Sequence, residues 1–273
     1  MEEEKNEIIP NEQKESEGLN FFANVKGIIT SPSATFESIA KHKLENVDYF
    51  IPLVLFSISF IITIFIILND PKLREEYLPY KNEQIKKELD LKVKKGELSQ
   101  KEADSISETM NDNENGIVKN SMHPIFIVYI IGGTFFIVVI GFLIFSYLFM
   151  LFVRYALGGS GSFHSSMVAF SMPLYIVFID FIIFLLYYLF TNQIFVGINL
   201  AFFFNIDINT FTGGILSIID LVDIWYLYVF SVGYAKLFKS GYTKKYVITF
   251  MGIWLTLYIL IIILRHYFPT VGW

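Results

Sequence analysis

"FIPLVLFSISFIITIFIIL", Phe50 to Leu68, runs nineteen residues without a charge. Wound as an α-helix at about 1.5 Å per residue, it reaches roughly 30 Å, the thickness of a bilayer's hydrocarbon core. A strand of this length has no place in lipid unless it closes into a barrel, whereas a helix satisfies its own backbone. The stretch therefore predicts a membrane-spanning helix.

Four more segments read the same way on a window of about 19 residues. They are Ile125–Val153, Val168–Phe190, Ile215–Ala235 and Val247–Leu264. The whole chain agrees: 54% of its 273 residues are hydrophobic, only 17% are charged, and the mean hydropathy is +0.52. Soluble domains carry about 25% charge. Five buried helices in a soluble protein would need covering chain that this sequence does not have. The fold class predicted is all-α, a polytopic helical membrane protein with five transmembrane helices and an extramembrane helical hairpin.

The divisions follow from composition. Residues 1–18 are acidic and polar and read as disordered; they lack the basic start and apolar core of a cleaved signal peptide. Residues 19–49 read as an interfacial amphipathic segment and 50–69 as the first transmembrane helix. Residues 70–124 form an extramembrane charged hairpin, 125–265 a four-helix transmembrane core, and 266–273 a tail. In the interfacial segment Phe22, Val25 and Ile29 share a helical face, Ser31-Pro32 restarts the helix, and Phe36 follows. Amphipathic helices beside a span commonly lie in the membrane interface.

In the hairpin, Ile85, Leu89 and Val93 stand at i, i+4, i+8, and Gly96 is a stop. "SQKE" (Ser99–Glu102) is a capping box, after which Ala103, Ile106 and Met110 continue a stripe. Ile85, Leu89, Val93 and Ile106 form the candidate docking face. A solvated hairpin packing only on itself is the equal alternative, since helices this short are marginal alone.

Charge suggests an orientation. Lys41 and Lys43 precede the first span, Arg154 follows the second, and Lys236, Lys239, Lys244 and Lys245 stand between the fourth and fifth. Five crossings put all of these on one face. The positive-inside rule makes that face cytoplasmic and the N-terminus internal. The lysines of residues 70–124 oppose this reading, but short connections report orientation better. "NQIFVGINLAFFFN" (Asn192–Asn205) is apolar yet short; a sixth crossing there would reverse the C-terminus.

Chemistry is sparse. With no cysteine, disulfides, thiolate metal sites and cysteine nucleophiles are excluded. A net charge of −5 opposes nucleic-acid binding. The glycines of "LGGSGSF" (Leu157–Phe163) follow no strand and precede no lysine, so they form a turn rather than a phosphate loop. His42, His123, His164 and His266 show no metal-ligand spacing. No catalytic constellation, cofactor site or metal site is read, so the protein is expected not to be an enzyme.

The informative polar residues lie in apolar surroundings: Asp180, Asp220 and Asp223. A carboxylate at mid-membrane costs about 2.5–3.5 kcal/mol on insertion scales, so such groups turn inward. Spacing by three puts Asp220 and Asp223 on one face, and antiparallel spans set Asp180 at a similar depth to Asp223. Three roles compete: interhelical hydrogen bonding, cation or proton handling, and lining a cavity for a lipid headgroup or peptide. The first carries the most weight.

"SPSATFESIA" (Ser31–Ala40) stands before the first span, "LGGSGSFHSSMVAFSMPLY" (Leu157–Tyr175) leads into the third, and an Asp-then-Trp span ends in Gly233 and a basic turn. In this layout the chain resembles the Yip family of five-span membrane proteins in its bacterial form, over roughly Phe21 to Arg265. Eukaryotic members are named for binding Rab-type GTPases and serve vesicle traffic. The charged connection at 70–124 is an insertion relative to their compact pattern. The resemblance implies a non-enzymatic protein that organises membrane or recruits partners: membrane lipid, with a protein partner or a second copy of itself. A transporter using the three carboxylates is the rival class.

Overall fold

The computed structural model describes residues 21–70, 86, 89–109, 124–193, 195, 197–208 and 210–267. Residues 1–18, Ile85 and His123 lie outside the described residues, as do the side chains of Phe22 and His266.

Apolar runs without water must close their own hydrogen bonds, and the described residues are helical almost throughout. It is an all-α membrane protein. Helices α1 (Phe21–Thr30) and α2 (Pro32–Lys41) break at Ser31, with Pro32 opening the second helix, where its missing N–H is harmless. Helix α3 (Asn46–Asn69) starts four residues before the apolar run, because Asp48 turns back to accept from the Glu45 amide at 2.8 Å. Helix α4 (Pro124–Phe152) passes into a π-helical turn, Val153–Leu157. Helices α5 (Phe163–Ser171) and α6 (Leu174–Thr191) form one apolar run bent at Pro173. The short α7 (Leu200–Phe203) and α8 (Phe211–Ser217) precede α9 (Leu221–Leu237) and α10 (Thr243–Tyr267).

Among the described residues four helices are long and apolar enough to cross a bilayer: Asn46–Asn69, Ile127–Leu157, Phe163–Thr191 and Thr243–Leu264. The expected fourth span, Ile215–Ala235, is not one helix. It divides between α8 and α9, and α9 has 17 residues, about 26 Å at 1.5 Å each. Asp220 is the reason: it caps α9 and so cannot lie inside it. Between Thr191 and Leu221 the described chain has no helix longer than seven residues, so 192–205 supplies no extra crossing helix.

Two sets of contacts define the bundle's ends. At one end His164 Nε2 meets the Glu45 carbonyl at 3.2 Å, Ser160 N donates to Phe238 O at 2.9 Å, and Lys245 Nζ donates to Leu157 O at 3.1 Å. At the other, Tyr188 donates to Asp70, and Gly214 lies beside Ile262. Hence α3, α5–α6 and α10 run between the ends, α4 runs into the basic end, and the shorter α9 also ends there. The basic residues grouped from sequence do share one end.

Helix α9 is the hub, packed by α2, α5 and α10. Val229, Val232, Tyr234, Ala235 and Phe238 are fully buried. Aromatic rings interlock around it: Phe230 meets Phe149 and Phe250 edge to face at 5.1 Å each. The outward faces of α4 and α10 are bare hydrocarbon, with Ile137 71% and Leu257 54% exposed. Lipid is the solvent such surfaces require. Hydroxyls on the apolar helices bond four residues back, as Ser57 does to Leu53 O at 2.8 Å and Ser231 to Leu227 O at 2.6 Å.

The expected capping box of the hairpin is present. Ser99 N donates to Glu102 Oε2 at 2.9 Å, and Glu102 N to Ser99 Oγ at 3.3 Å. The Ser99 amide, and the Ser99 hydroxyl donating to the same Oε2 at 2.7 Å, hold the Glu102 carboxyl below the usual carboxylate range.

Candidate functional site

The carboxylates come together where α6 passes the start of α9. Asp220 is buried and fixed: its Oδ1 accepts from Val222 N at 2.8 Å and Asp223 N at 3.3 Å. The backbone on either side of it pairs antiparallel with the Asn199 segment, Leu221 N donating to Ile198 O at 3.1 Å and Leu200 N to Ile219 O at 3.2 Å. Gly197 has φ +93 and lies so close to Asp220 Oδ2 that a side chain there would collide with it. Asp223 occupies the first turn of α9 with an exposed side chain. Asp180, on α6, is half-buried, and its Oδ1 is fully enclosed with no hydrogen-bond partner among the described residues. The charges that act on it are those of Asp220 and Asp223. Among the described residues no group of three or more His, Asp or Glu could hold a metal ion.

Sequence spacing found the three acids but missed that Asp220 is a helix cap. The signal was present, since Asp is among the strongest N-cap residues. Removing the cap should cost about 1 kcal/mol. We expect Asp220→Ala to lower the detergent-solubilised melting temperature while Asp220→Asn, which keeps an acceptor oxygen, does not. Asp180→Asn removes a like charge from the cluster and is expected to leave the melting temperature unchanged or higher. A large loss on Asp180→Asn would mean that the charge itself is required.

The predicted interfacial face divides. Phe36 is fully buried, its ring lying over Gly233 of α9. It is a core residue, not one free to enter the membrane interface. The reason is the Gly233 notch, which admits a ring where any side chain would block it. On α1 the buried positions are Asn24 and Ile28, while Val25 and Ile29 are half-buried. Lys236 donates to Glu37 at 2.5 Å and so ties α2 to α9. That ammonium holds the Glu37 carboxyl below the usual range. The tie is therefore present above the ordinary carboxylate range and is lost as pH falls through the lowered value.

The candidate docking face divides too. Leu89 is buried and so is not part of a free face. Its stripe is used within the fold first. Val93 is half-buried, while Ile106 and Leu91 are exposed.

At the basic end the 157–163 glycines form the turn expected of them. Gly158 has φ +76, a region that favours glycine. Arg154 clamps the turn by donating Nε and Nη2 to Gly161 O at 3.0 and 2.6 Å. Ser162 then caps α5, accepting from Ser165 N at 3.0 Å. Above the turn Ser166 Oγ donates to Ser146 O at 2.6 Å and meets Tyr234 Oη at 2.8 Å, joining α4, α5 and α9 by a buried polar node. Nothing in the spacing of these three residues disclosed that node.

The arrangement thus joins a docked N-terminal helix pair, a glycine turn and an Asp-capped hub helix. The family model described as Yip1 domain matches residues 26–264. The chain belongs to the Yip1 family. The match begins inside α1 and ends near the close of α10, so it spans every packed helix and the 70–124 connection. Comparison with curated proteins and with solved structures gives no match. Within this Yip1 domain, α2, the glycine turn and the α9–α10 turn meet at the basic end, while the carboxylates gather toward the other.

Proposed function

We propose that this Yip1 protein is a non-enzymatic organiser of the cytoplasmic membrane that recruits or assembles partner proteins through its extramembrane hairpin. The observation that supports it is the hairpin's division of apolar side chains. Leu89 and Ala103 are buried, whereas Leu91 and Ile106 stand 53% and 37% exposed outside the bundle. A hairpin meeting only water would gain nothing from them. Family membership supports the reading, since Yip proteins are associated with membranes and protein interactions.

The test is a photo-cross-linking residue at Ile106 in native membranes, with one at lipid-facing Leu257 as control. A discrete protein adduct from position 106, weakened by Leu91→Ser, is the expected result. No adduct, together with ion flux by the purified chain alone in liposomes, would favour transport instead. One observation favours that second reading: Asp180 Oδ1 is enclosed, unpartnered and beside two like charges.

The topology proposed is five crossings with the basic end cytoplasmic, α9 being the fourth crossing element and α10 the fifth. The chain has no native cysteine, so single cysteines report cleanly. Cysteines at Lys41 and Lys244 should label only from the cytoplasmic side and one at Gln193 only from the opposite side. Labelling of Lys244 and Gln193 from the same side would end the five-crossing proposal.

A further inference from the structure

We propose that the basic end of the bundle is a recognition surface for anionic phospholipid headgroups of the leaflet around it. Residues 32–48, 153–164 and 236–246 hold seven basic side chains against three acidic ones, in a chain whose net charge is −5. Three of the basic groups are committed to the fold. Arg154 binds Gly161 O, Lys236 binds Glu37, and Lys245 binds Leu157 O. Lys41 lies within the field of Glu37. Lys43, Lys239 and Lys244 are exposed and have no partner among the described residues. Of the three acids, Asp48 is buried and Glu37 is paired, so Glu45, exposed and without an ion-pair partner among the described residues, is the one left to oppose them.

Two placements work against the fold's own preferences. Helix α9 closes with Ser240 N donating to Ala235 O at 2.9 Å and Lys239 N to Lys236 O at 3.1 Å. This is a Schellman end, whose left-handed residue is usually glycine. Here it is Lys239, at φ +56. Lys244 and Lys245 then sit in the first turn of α10, where the helix field already disfavours cations. An external anion offsets both. The turn is held firmly: Phe238 packs under it against Gly159 and Gly161.

The source of the anion is argued from what flanks the lysines. Tyr155 is 86% exposed and Tyr242 76%. Exposed tyrosines beside a span mark the headgroup level of a bilayer. Cations at that level meet lipid phosphate, and clusters of this size beside spanning helices attract anionic lipid.

The test uses the full chain in neutral detergent, with bound lipid counted by native mass spectrometry against added short-chain phosphatidylglycerol or phosphatidylcholine. The wild type should prefer phosphatidylglycerol. Each lysine is worth about fivefold in affinity, so Lys43→Gln, Lys239→Gln and Lys244→Gln together should remove a preference on the order of a hundredfold. The Lys→Arg versions should keep it. Removing three charges from the hairpin instead, by Lys94→Gln, Lys95→Gln and Lys101→Gln, should also leave it intact. Equal binding of the two lipids by the wild type overturns the proposal. So does loss of preference in the hairpin variant, which would show an effect of net charge alone. Displacement of phosphatidylglycerol by excess inorganic phosphate would assign the surface to free phosphate and reject the lipid.

Discussion

Phe36→Ala should detach the N-terminal helix pair from the bundle. Phe36 has no exposed surface and is the largest side chain that α2 contributes to the core. Truncating a buried Phe costs about 3–5 kcal/mol, the transfer loss plus the cavity left behind. A helix of 10 residues has little stability of its own, so the whole amount falls on the docking of α2. The polar tie, Lys236 to Glu37, involves an exposed carboxylate and cannot replace a ring. Hydrogen exchange over residues 21–41 should rise steeply while that of α4 and α10 stays unchanged. The reciprocal change makes the same point from the other side. A methyl group on Gly233 would stand 2.7 Å from Phe36 Cζ, too close for both to remain. Gly233→Ala should therefore loosen the same segment, and Phe36→Leu in the Gly233→Ala background should recover part of the loss. Additive losses in the double variant would show that ring and notch do not meet.

The second large effect is expected at Gly159. A methyl group there would lie 2.6 Å from Tyr246 Oη, 2.8 Å from Val153 Cγ1 and 2.9 Å from Phe238 Cβ. The three neighbours belong to three different elements, so no single side chain can move aside. Overpacking a filled core costs about 1–3 kcal/mol, and a closed corner belongs at the upper end. Gly159→Val should lower the melting temperature of the solubilised protein and reduce its yield in membranes. Gly158→Asn tests the other glycine property. Gly158 has open space around it and φ +76, which asparagine tolerates better than most residues. That variant should be nearly silent. A Gly159→Val protein as stable as Gly158→Asn would contradict the packing described for the turn.

Much of this molecule was legible without coordinates, because its strongest constraint acts locally. Lipid supplies no hydrogen bonds, so an uncharged run such as Phe50–Leu68 has one answer, and that answer depends on no other part of the chain. The same holds for the Ser99–Glu102 box and for the Ser31-Pro32 break. Each is decided by groups within four residues of one another. The all-α membrane class was available at that level, whereas the grouping of the basic residues came from counting spans and the Yip resemblance from the order of motifs along the chain.

What the sequence could not settle were the pairings between distant segments. Hydropathy ran through Ile219 to Leu221 and made one span of Ile215–Ala235. Asp220 ends that helix because its carboxylate takes the first amides of α9 while the backbone beside it pairs with the Asn199 segment. Phe22, Val25, Ile29 and Phe36 looked alike as an interfacial stripe. Only the notch at Gly233, almost two hundred residues away, makes Phe36 a core residue. Leu89 and Ile106 likewise belong to similar stripes, and only the folded structure tells the buried one from the exposed one. Periodicity reports which side of a helix is apolar. What then covers that side, whether lipid, a neighbouring helix or a partner, is decided by packing across the fold.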